Sequence, residues 1–537
     1  MNILLWSAAV APLTWHYCGA VKIRGDTAVV TLCSLFSALF ILLYATNRSL
    51  SASLSYSTLL LSIHILTVSG ITLLYRISSW HPLRAFPGPL SYKISNLRRA
   101  YTTSTGKRHE IIKDLHEKYG KFVRIGPNML SINSSTAVSQ IYTQASCMDK
   151  SDAYILGREK NLGLFFVTQR EQHNIRKKAW ISAFSPSALA AYHPFIEIRA
   201  KALEKCVETR TDEVTQSVNL TECIQHWAYD LMGDIVFGGS SRLELMEDGD
   251  PDEYVKGVQL ATMMFEILGE VPWLFDILWY LPVTQVLRSF ENRAGQMMKI
   301  RRFNNSDGQN DIAGHLMGER GTHSTQLTDG ELAVEGTLAI TAGSDSTSPM
   351  MAFIFYFLIS NPSKLNRLRQ ELDEAFPNAT PLSSTVLASL PYLNAVIDES
   401  LRLGTPFPGL PRVVPPEGVC IDGVRIPGGT IVSVPAYTQQ TSVENFSPKP
   451  EEFIPERWID PEYTTNRSAL MCFSFGPFSC LGRNLAIHEL RFTVAHLMST
   501  LDFSFPDDFD PSLFRANVLG IRTTVFRYPL LVAARRR

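Results

Sequence analysis

Net charge is almost absent from this chain. Its 50 Lys and Arg against 51 Asp and Glu leave −1 over 537 residues, so no global field draws it onto nucleic acid. It also lacks any C-x-x-C pair. Eight cysteines, at 18, 33, 147, 206, 223, 420, 472 and 480, are scattered, which argues against zinc or iron–sulfur ligation and against a disulfide framework. Such usage fits a reducing compartment for the bulk of the chain. No G-x-G-x-x-G turn occurs, so there is no nicotinamide or flavin fingerprint. The length allows two or three average domains, or one large helical domain plus an anchor.

Long apolar runs crowd one end. Segments 1–20, 27–45 and 54–75 each approach the ~20 residues that span a hydrocarbon core. A cleaved signal peptide explains the first at best. Lys22 and Arg24 precede the second segment, and Arg76, Arg84, Lys93, Arg98 and Arg99 follow the third. The excess of cations places both regions in the cytosol and the loop between the second and third segments in the lumen. That loop carries Asn47-Arg48-Ser49, a glycosylation acceptor by pattern. The first segment, with His16, is the weakest span and reads equally as re-entrant or interfacial. Next, three prolines in Trp80-His81-Pro82-Leu83-Arg84-Ala85-Phe86-Pro87-Gly88-Pro89 forbid helix. The division expected is 1–76 as anchor, 77–100 as a stiff hinge or ordinary linker, and 101–537 as one large domain.

Within that domain helical patterns dominate. Residues 109–119 read as an amphipathic helix, and Phe122-Val123-Arg124-Ile125-Gly126-Pro127 with 129–132 as strand, turn, strand. The span 189–302 is mostly helical in pattern, with an aromatic stretch at 272–275. Thr328-Asp329-Gly330-Glu331 matches a capping box and opens an apolar run of about thirty residues ending at Asn361-Pro362. Residues 393–403 form a helix closed by Gly404 and Pro406. Short strands are expected over 420–426 and 430–434 around Pro427-Gly428-Gly429, and the tail at 517–519 resembles a hairpin.

The chemistry converges on Phe473-Ser474-Phe475-Gly476-Pro477-Phe478-Ser479-Cys480-Leu481-Gly482. A turn delivers one cysteine to the start of a helix, where free N–H groups and the positive helix end favour a thiolate. A soft thiolate suits iron, and Gly476 and Gly482 present no Cβ to a flat macrocycle. The plainer reading is a buried, inert cysteine. The full spacing Phe-x-x-Gly-x-x-x-Cys-x-Gly, with Leu485-Ala486 and Glu489 behind it, resembles the haem-binding loop of the cytochrome P450 superfamily.

Two further motifs agree with that resemblance. Ala342-Gly343-Ser344-Asp345-Ser346-Thr347, inside the long helix, is similar to the family's oxygen-activation motif, with Ser346 in place of the usual threonine; small hydroxylated residues there also bind their own carbonyls. Pro349 adds a local reason for a distortion. Glu399 and Arg402, three apart on one helix face, combine with Arg457 of Pro455-Glu456-Arg457-Trp458 to resemble the family's buried network beneath the cysteine loop.

The resemblance covers about Trp80 to the C-terminus and implies a mainly α fold with small β-sheets. It implies haem b with Cys480 as axial thiolate, whose electron donation favours O–O cleavage. Loop residues Phe473, Gly476 and Gly482 would cradle the haem; Asp345, Ser346 and Thr347 would handle protons. Arg412, Lys177, Arg176 and His173 would meet the propionates, in the absence of the Arg or His that the family places at Phe478. Gln440 stands where a histidine is frequent. The cations beside His173 would also suit an acidic redox partner. The implied activity inserts one oxygen atom of O2 into an apolar small molecule, in the style of secondary metabolism in a fungus. Electrons would come from NADPH through NADPH–cytochrome P450 reductase, with cytochrome b5 as a second donor, at the cytosolic face of the endoplasmic reticulum membrane. The other classes open are a haem-thiolate isomerase or dehydratase needing no reductase, against which Asp345 and Ser346 argue, and a non-catalytic haem-binding membrane protein.

Overall fold

The computed structural model describes residues 3–20, 23–47, 49–143, 147–155, 162–241, 243–304, 310–319, 327–404 and 409–537. Lys22, Arg48 of the glycosylation triplet and Pro406 lie outside the described residues.

Three helices open the chain: α1 (Ile3–Ala20), α2 (Gly25–Asn47) and α3 (Leu50–Ile77). Among the described residues α2 and α3 are long and apolar enough to cross a membrane; α1, interrupted by Pro12, is not. Instead α1 packs on α3, with Trp15 edge-on to Tyr75 at 5.1 Å. The start of α2 grips the large domain. The Gly25 amide donates to Asp276 at 2.9 Å, Arg24 pairs with Asp276, and Tyr280 donates to Asp26. A Cβ at Gly25 would lie 1.8 Å from the Trp273 carbonyl oxygen, so only glycine allows this approach.

The proline-rich segment is no free linker. Leu83, Phe86 and His81 are buried, and the Arg124 amide donates to the Pro87 carbonyl at 2.7 Å. At Gly88, with φ +154, a Cβ would meet the Arg124 carbonyl. The segment is therefore fastened to the first strand of a five-stranded sheet ordered Phe122–Gly126, Met129–Ile132, Ile431–Ser433, Arg412–Val413, Asp149–Lys150. Its last pairing sets Lys150 opposite Arg412. The strand expected over 420–426 is instead a hairpin, Val419–Ile421 with Val424–Ile426. Asp422 and Gly423 both take positive φ, the geometry of a tight Asp-Gly turn that folds the chain back on itself.

Helices make up most of the rest. The long helix Asp329–Ile359 begins with the expected capping box: Thr328 Oγ1 accepts from the Glu331 amide, and Glu331 accepts from the Thr328 amide at 2.8 Å. It stays α-helical through Pro349, so the distortion expected there does not break it. Leu220–Phe237, buried on nearly every side, lies against it. Contact is close because a Cβ at Gly343 would come within 2.4 Å of Met232 Sδ, and Ser344 donates across to the Ala228 carbonyl at 3.1 Å. With Pro391–Gly404 and Arg483–Thr500 these helices enclose the main apolar core, while a second core backs the sheet.

Candidate active site

The cysteine loop is built by local necessity. Gly476 takes φ +66, and a Cβ there would sit 2.2 Å from the Tyr142 carbonyl oxygen. Its role is thus to let the loop pass Tyr142, and it does not line the cavity that the loop faces. Gly482 does line it: a Cβ would stand 3.9 Å from Cys480 Sγ. The Cys480 amide donates to the Phe473 carbonyl at 2.9 Å, closing the turn before the helix Arg483–Thr500. Cys480 has exposed surface, but that surface is cavity wall. Burial pushes its thiol pKa up; the amides of Gly482 and Arg483 and the Arg483 charge pull the other way without overcoming it. The poised anion expected from the helix end is therefore not supplied by the protein alone.

Beneath the loop, Glu399 is fully enclosed. One carboxylate oxygen accepts from Arg402 at 2.7 Å, Arg457 at 3.0 Å and the Ile454 amide at 3.0 Å; the other accepts from Arg402 at 2.8 Å and Trp458 at 2.9 Å. The remaining guanidinium nitrogens donate to the carbonyls of Gln440, Pro450 and Glu452 from Arg402, and of Pro448 and Lys449 from Arg457. Gln440 carries this network to the loop. Its amide nitrogen donates to the Arg402 carbonyl and its oxygen accepts from the Met471 amide, while the Met471 carbonyl accepts from Ser474.

The cavity over Cys480 encloses about 370 Å³. Phe473, Gly482, Thr347, Ser346, His173, Arg412, Lys150, Phe478 and Glu489 are all on its wall. At one end stand two cations, Arg412 and Lys150, both buried. Lys150 Nζ donates to the Phe165 carbonyl at 2.8 Å and lies 4.7 Å from the Phe478 ring centre; Arg412 lies 5.0 Å from the same ring. Burial, with Arg412 and Arg522 nearby, drives the Lys150 pKa well down. His173 meets Phe478 edge-on at 4.6 Å, and burial followed by the Lys150 and Lys177 charges lowers it to about 3, so it is neutral. Arg412 Nε and His173 Nδ1 are buried and have no hydrogen-bond partner among the described residues. An arginine with an unfilled donor, beside a lysine that an acidic group would hold protonated, stands at one end and a thiol on the floor; together they fit a flat iron macrocycle with acidic side groups.

Two expected residues are elsewhere. Arg176 is spent on Glu331 and Glu335, and Lys177 donates to the Pro477 carbonyl at 3.1 Å; neither lines the cavity. Lys150, which sequence reading missed, is on the cavity wall because strand pairing puts it beside Arg412.

A second cavity of about 350 Å³ adjoins the first, and the two share Tyr154, Phe165, Leu338, Ala342, Ser346 and Leu410. Of the three helix residues expected to move protons, only Ser346 touches both chambers. Its Oγ donates to the Ala342 carbonyl at 2.6 Å. Thr347 faces the first chamber only, near Glu489, whose pKa burial raises to about 8. Asp345 lines neither. Its carboxylate accepts from the Tyr229 hydroxyl at 2.7 Å, and burial raises its pKa to about 6 against the pull of Tyr229 and Thr262.

Most of the chain is similar to known proteins. The family description "Cytochrome P450" matches residues 86–526. Cytochrome P450 67 of Uromyces fabae is 32% identical over 476 residues, 83% of this chain and 84% of that protein. Tryprostatin B 6-hydroxylase of Aspergillus fumigatus is 32% identical over 459 residues, 84% of this chain and 80% of that protein. Cytochrome P450 monooxygenase hepC of Aspergillus oryzae is 31% identical over 450 residues, covering 78% and 87%. With its thiol loop, its mainly α fold and relatives of this kind across most of its length, the chain belongs to the cytochrome P450 family of monooxygenases.

Proposed function

We propose that this chain is a membrane-anchored haem-thiolate monooxygenase that oxidises an apolar small molecule of fungal secondary metabolism, with electrons from NADPH relayed by NADPH–cytochrome P450 reductase and optionally cytochrome b5. The observation that carries this reading is one cavity holding the Cys480 thiol and the Lys150–Arg412 cation pair, joined to an apolar chamber at Ser346. In that reading Cys480 ligates the iron of haem b; Arg412, Lys150 and neutral His173 hold its propionates; Phe473 and Gly482 shape the floor. Bound haem supplies the dioxygen chemistry. Ser346 sits where a hydroxyl oxygen can accept from, and so position, a proton-bearing water between the chambers, and Asp345, tied to Tyr229, sets the proton balance of that turn of helix.

Secondary metabolism is supported by the tryprostatin hydroxylase among the relatives. The endoplasmic reticulum and a cytosolic domain are supported by α2 and α3, together with Arg24, which meets Asp276 of the large domain, and Arg76, which meets Ile94 of the connector. The domain division proposed is 1–76 as anchor, 77–100 as a packed connector and 101–537 as catalytic domain.

The test is the carbon monoxide difference spectrum of the reduced protein, wild type against Cys480→Ala. A thiolate-type spectrum that vanishes in the variant is expected; its survival in the variant overturns the ligand assignment. Product formed only with NADPH and reductase separates monooxygenation from isomerisation.

A further inference from the structure

The second chamber is mostly apolar, yet it gathers five charged side chains from four segments: Arg99, Arg108, Glu266 with Glu270, and Arg522. Arg99 pairs with Glu270, Arg108 bridges Glu266 and Glu270, and Arg522 pairs with Glu266. None of the five side chains is more than 18% exposed. Burial alone would raise the Glu266 pKa, but Arg522 and Arg108 bring it down to about 2, so this carboxylate is ionised. Three positive charges therefore face two negative ones, and among the described lining residues there is no third carboxylate.

Arg522 is the member with capacity to spare. It lies in the turn between the strands Val518–Gly520 and Thr524–Phe526. Its Nε donates to Glu266, while among the described residues nothing accepts from its two terminal nitrogens. The guanidinium is held between three aromatic rings, Tyr154, Phe165 and Phe265, at 5.1, 5.0 and 5.0 Å from their centres, and all three line the chamber. A planar fork fixed in this way, with unfilled donors and an uncompensated charge in a low-dielectric pocket, is built for an oxygen anion.

We infer that the substrate is an apolar acid, whose oxyanion, a carboxylate in the simplest case, is bound by the terminal nitrogens of Arg522. Its apolar body then runs along Phe265, Phe165 and Leu338 toward Ser346. This rests on the monooxygenase reading and adds the class of substrate to it. The charged end fixes which part of the molecule lies far from the thiol, so oxidation falls on a carbon remote from the acid group.

The test uses full-length, haem-loaded protein and two matched series of probes: lauric acid, lauryl alcohol and laurylamine, and naphthylacetic acid, naphthylethanol and naphthylethylamine. Binding is followed by calorimetry and by the ligand-induced spectral shift. In at least one series the acid is expected to bind about tenfold more tightly than the alcohol, with the amine weakest. Arg522→Gln erases the preference and leaves alcohol binding in place, Arg522→Lys keeps part of it, and Glu266→Gln enlarges it. No preference for the acid in either series overturns the inference. So does an Arg522→Gln variant that shifts acid and alcohol alike, which would make the cluster a latch between segments. A carbon monoxide spectrum recorded on the same samples keeps the two readings apart. Its loss in wild type defeats the haem-thiolate assignment, whereas an intact spectrum without acid preference defeats only the proposal about substrate.

Discussion

Two buried clusters of arginine and glutamate lie in this protein, each with one arginine more than it has glutamates, and they are finished differently. Under the cysteine loop, Arg402 and Arg457 surround Glu399, and their other nitrogens donate to backbone carbonyls of Gln440, Pro448, Lys449, Pro450 and Glu452. At the end of the second chamber, Arg99, Arg108 and Arg522 surround Glu266 and Glu270, and Arg522 still faces the cavity with donors to offer. Identical charge arithmetic thus gives a fastening in one place and a recognition surface in the other. What decides is whether backbone carbonyls absorb the excess charge.

The comparison breaks most severely at the fastening. Glu399→Ala leaves two buried guanidinium groups facing no carboxylate, a loss of roughly 3–5 kcal/mol. Holoprotein is expected to disappear from the membrane fraction rather than turn over slowly, measured as haem per protein and as the carbon monoxide spectrum. A soluble, haem-loaded Glu399→Ala of near-normal activity would show that the network does not support the loop. Arg457→Ala should follow the same course, since it removes both a Glu399 contact and the ties to Pro448 and Lys449.

The next largest effect tests the cation pair that meets Phe478. Lys150→Met should speed haem transfer to apomyoglobin about tenfold, with Arg412→Ala at least as damaging. Arg176→Ala should leave haem transfer unchanged, because Arg176 is engaged with Glu331 and Glu335. Equal small effects at all three positions would mean that propionates are held by other groups.

Which of these residues could be read in advance follows from how far apart their partners are in the chain. The Thr328–Glu331 cap and the loop from Phe473 to Gly482 are each written within ten residues; the cap forms as expected, and the loop delivers Cys480 to a helix start although Gly476 faces Tyr142 and not the cavity. Glu399 and Arg402 are also local, one helical turn apart, and Arg457 was reached only through the family motif. Lys150 carries no local signal; it acquires a role only because Asp149–Lys150 pairs with Arg412–Val413. Arg108 and Glu266 are similarly invisible in sequence, being 158 positions apart. For Arg176 and Lys177 the family pattern implies a propionate, whereas Glu331 and the Pro477 carbonyl, both distant in sequence, engage them separately. The Gly25 grip on Asp276 lay hidden in the same way.

A smaller, pH-dependent effect is expected at Asp345. Its folded pKa of about 6 lies above the ordinary carboxylate value of 3.8, so the folded state binds the proton more tightly than the unfolded chain. Stability contributed by that proton is present below pH 3.8 and is lost as pH rises toward about 6. Asp345→Asn keeps an acceptor for Tyr229 but has no proton to lose. Its thermal stability should therefore gain on wild type between these limits and hold a constant difference above them. A difference that is flat from pH 4 to pH 7 would mean that the carboxyl is no more protonated in the fold than outside it.

Ser346 should give the smallest change and the most specific one. It is the only one of Asp345, Ser346 and Thr347 on the wall of both chambers, and its Oγ already donates to the Ala342 carbonyl at 2.6 Å. With that proton engaged, the oxygen's lone pairs remain to accept from water or substrate, so the hydroxyl orients a proton-bearing water. Threonine can make the same bond to the carbonyl four residues back, and its extra methyl restricts the side chain to fewer rotamers. Ser346→Ala should raise hydrogen peroxide released per NADPH and lower product. Ligand-induced spectral shifts should barely move. Ser346→Thr should change the ratio in the opposite direction, toward tighter coupling. If the ratio of product to NADPH is unchanged in Ser346→Ala, the hydroxyl is outside the proton path, and Thr347 beside Glu489 becomes the group to test in its place.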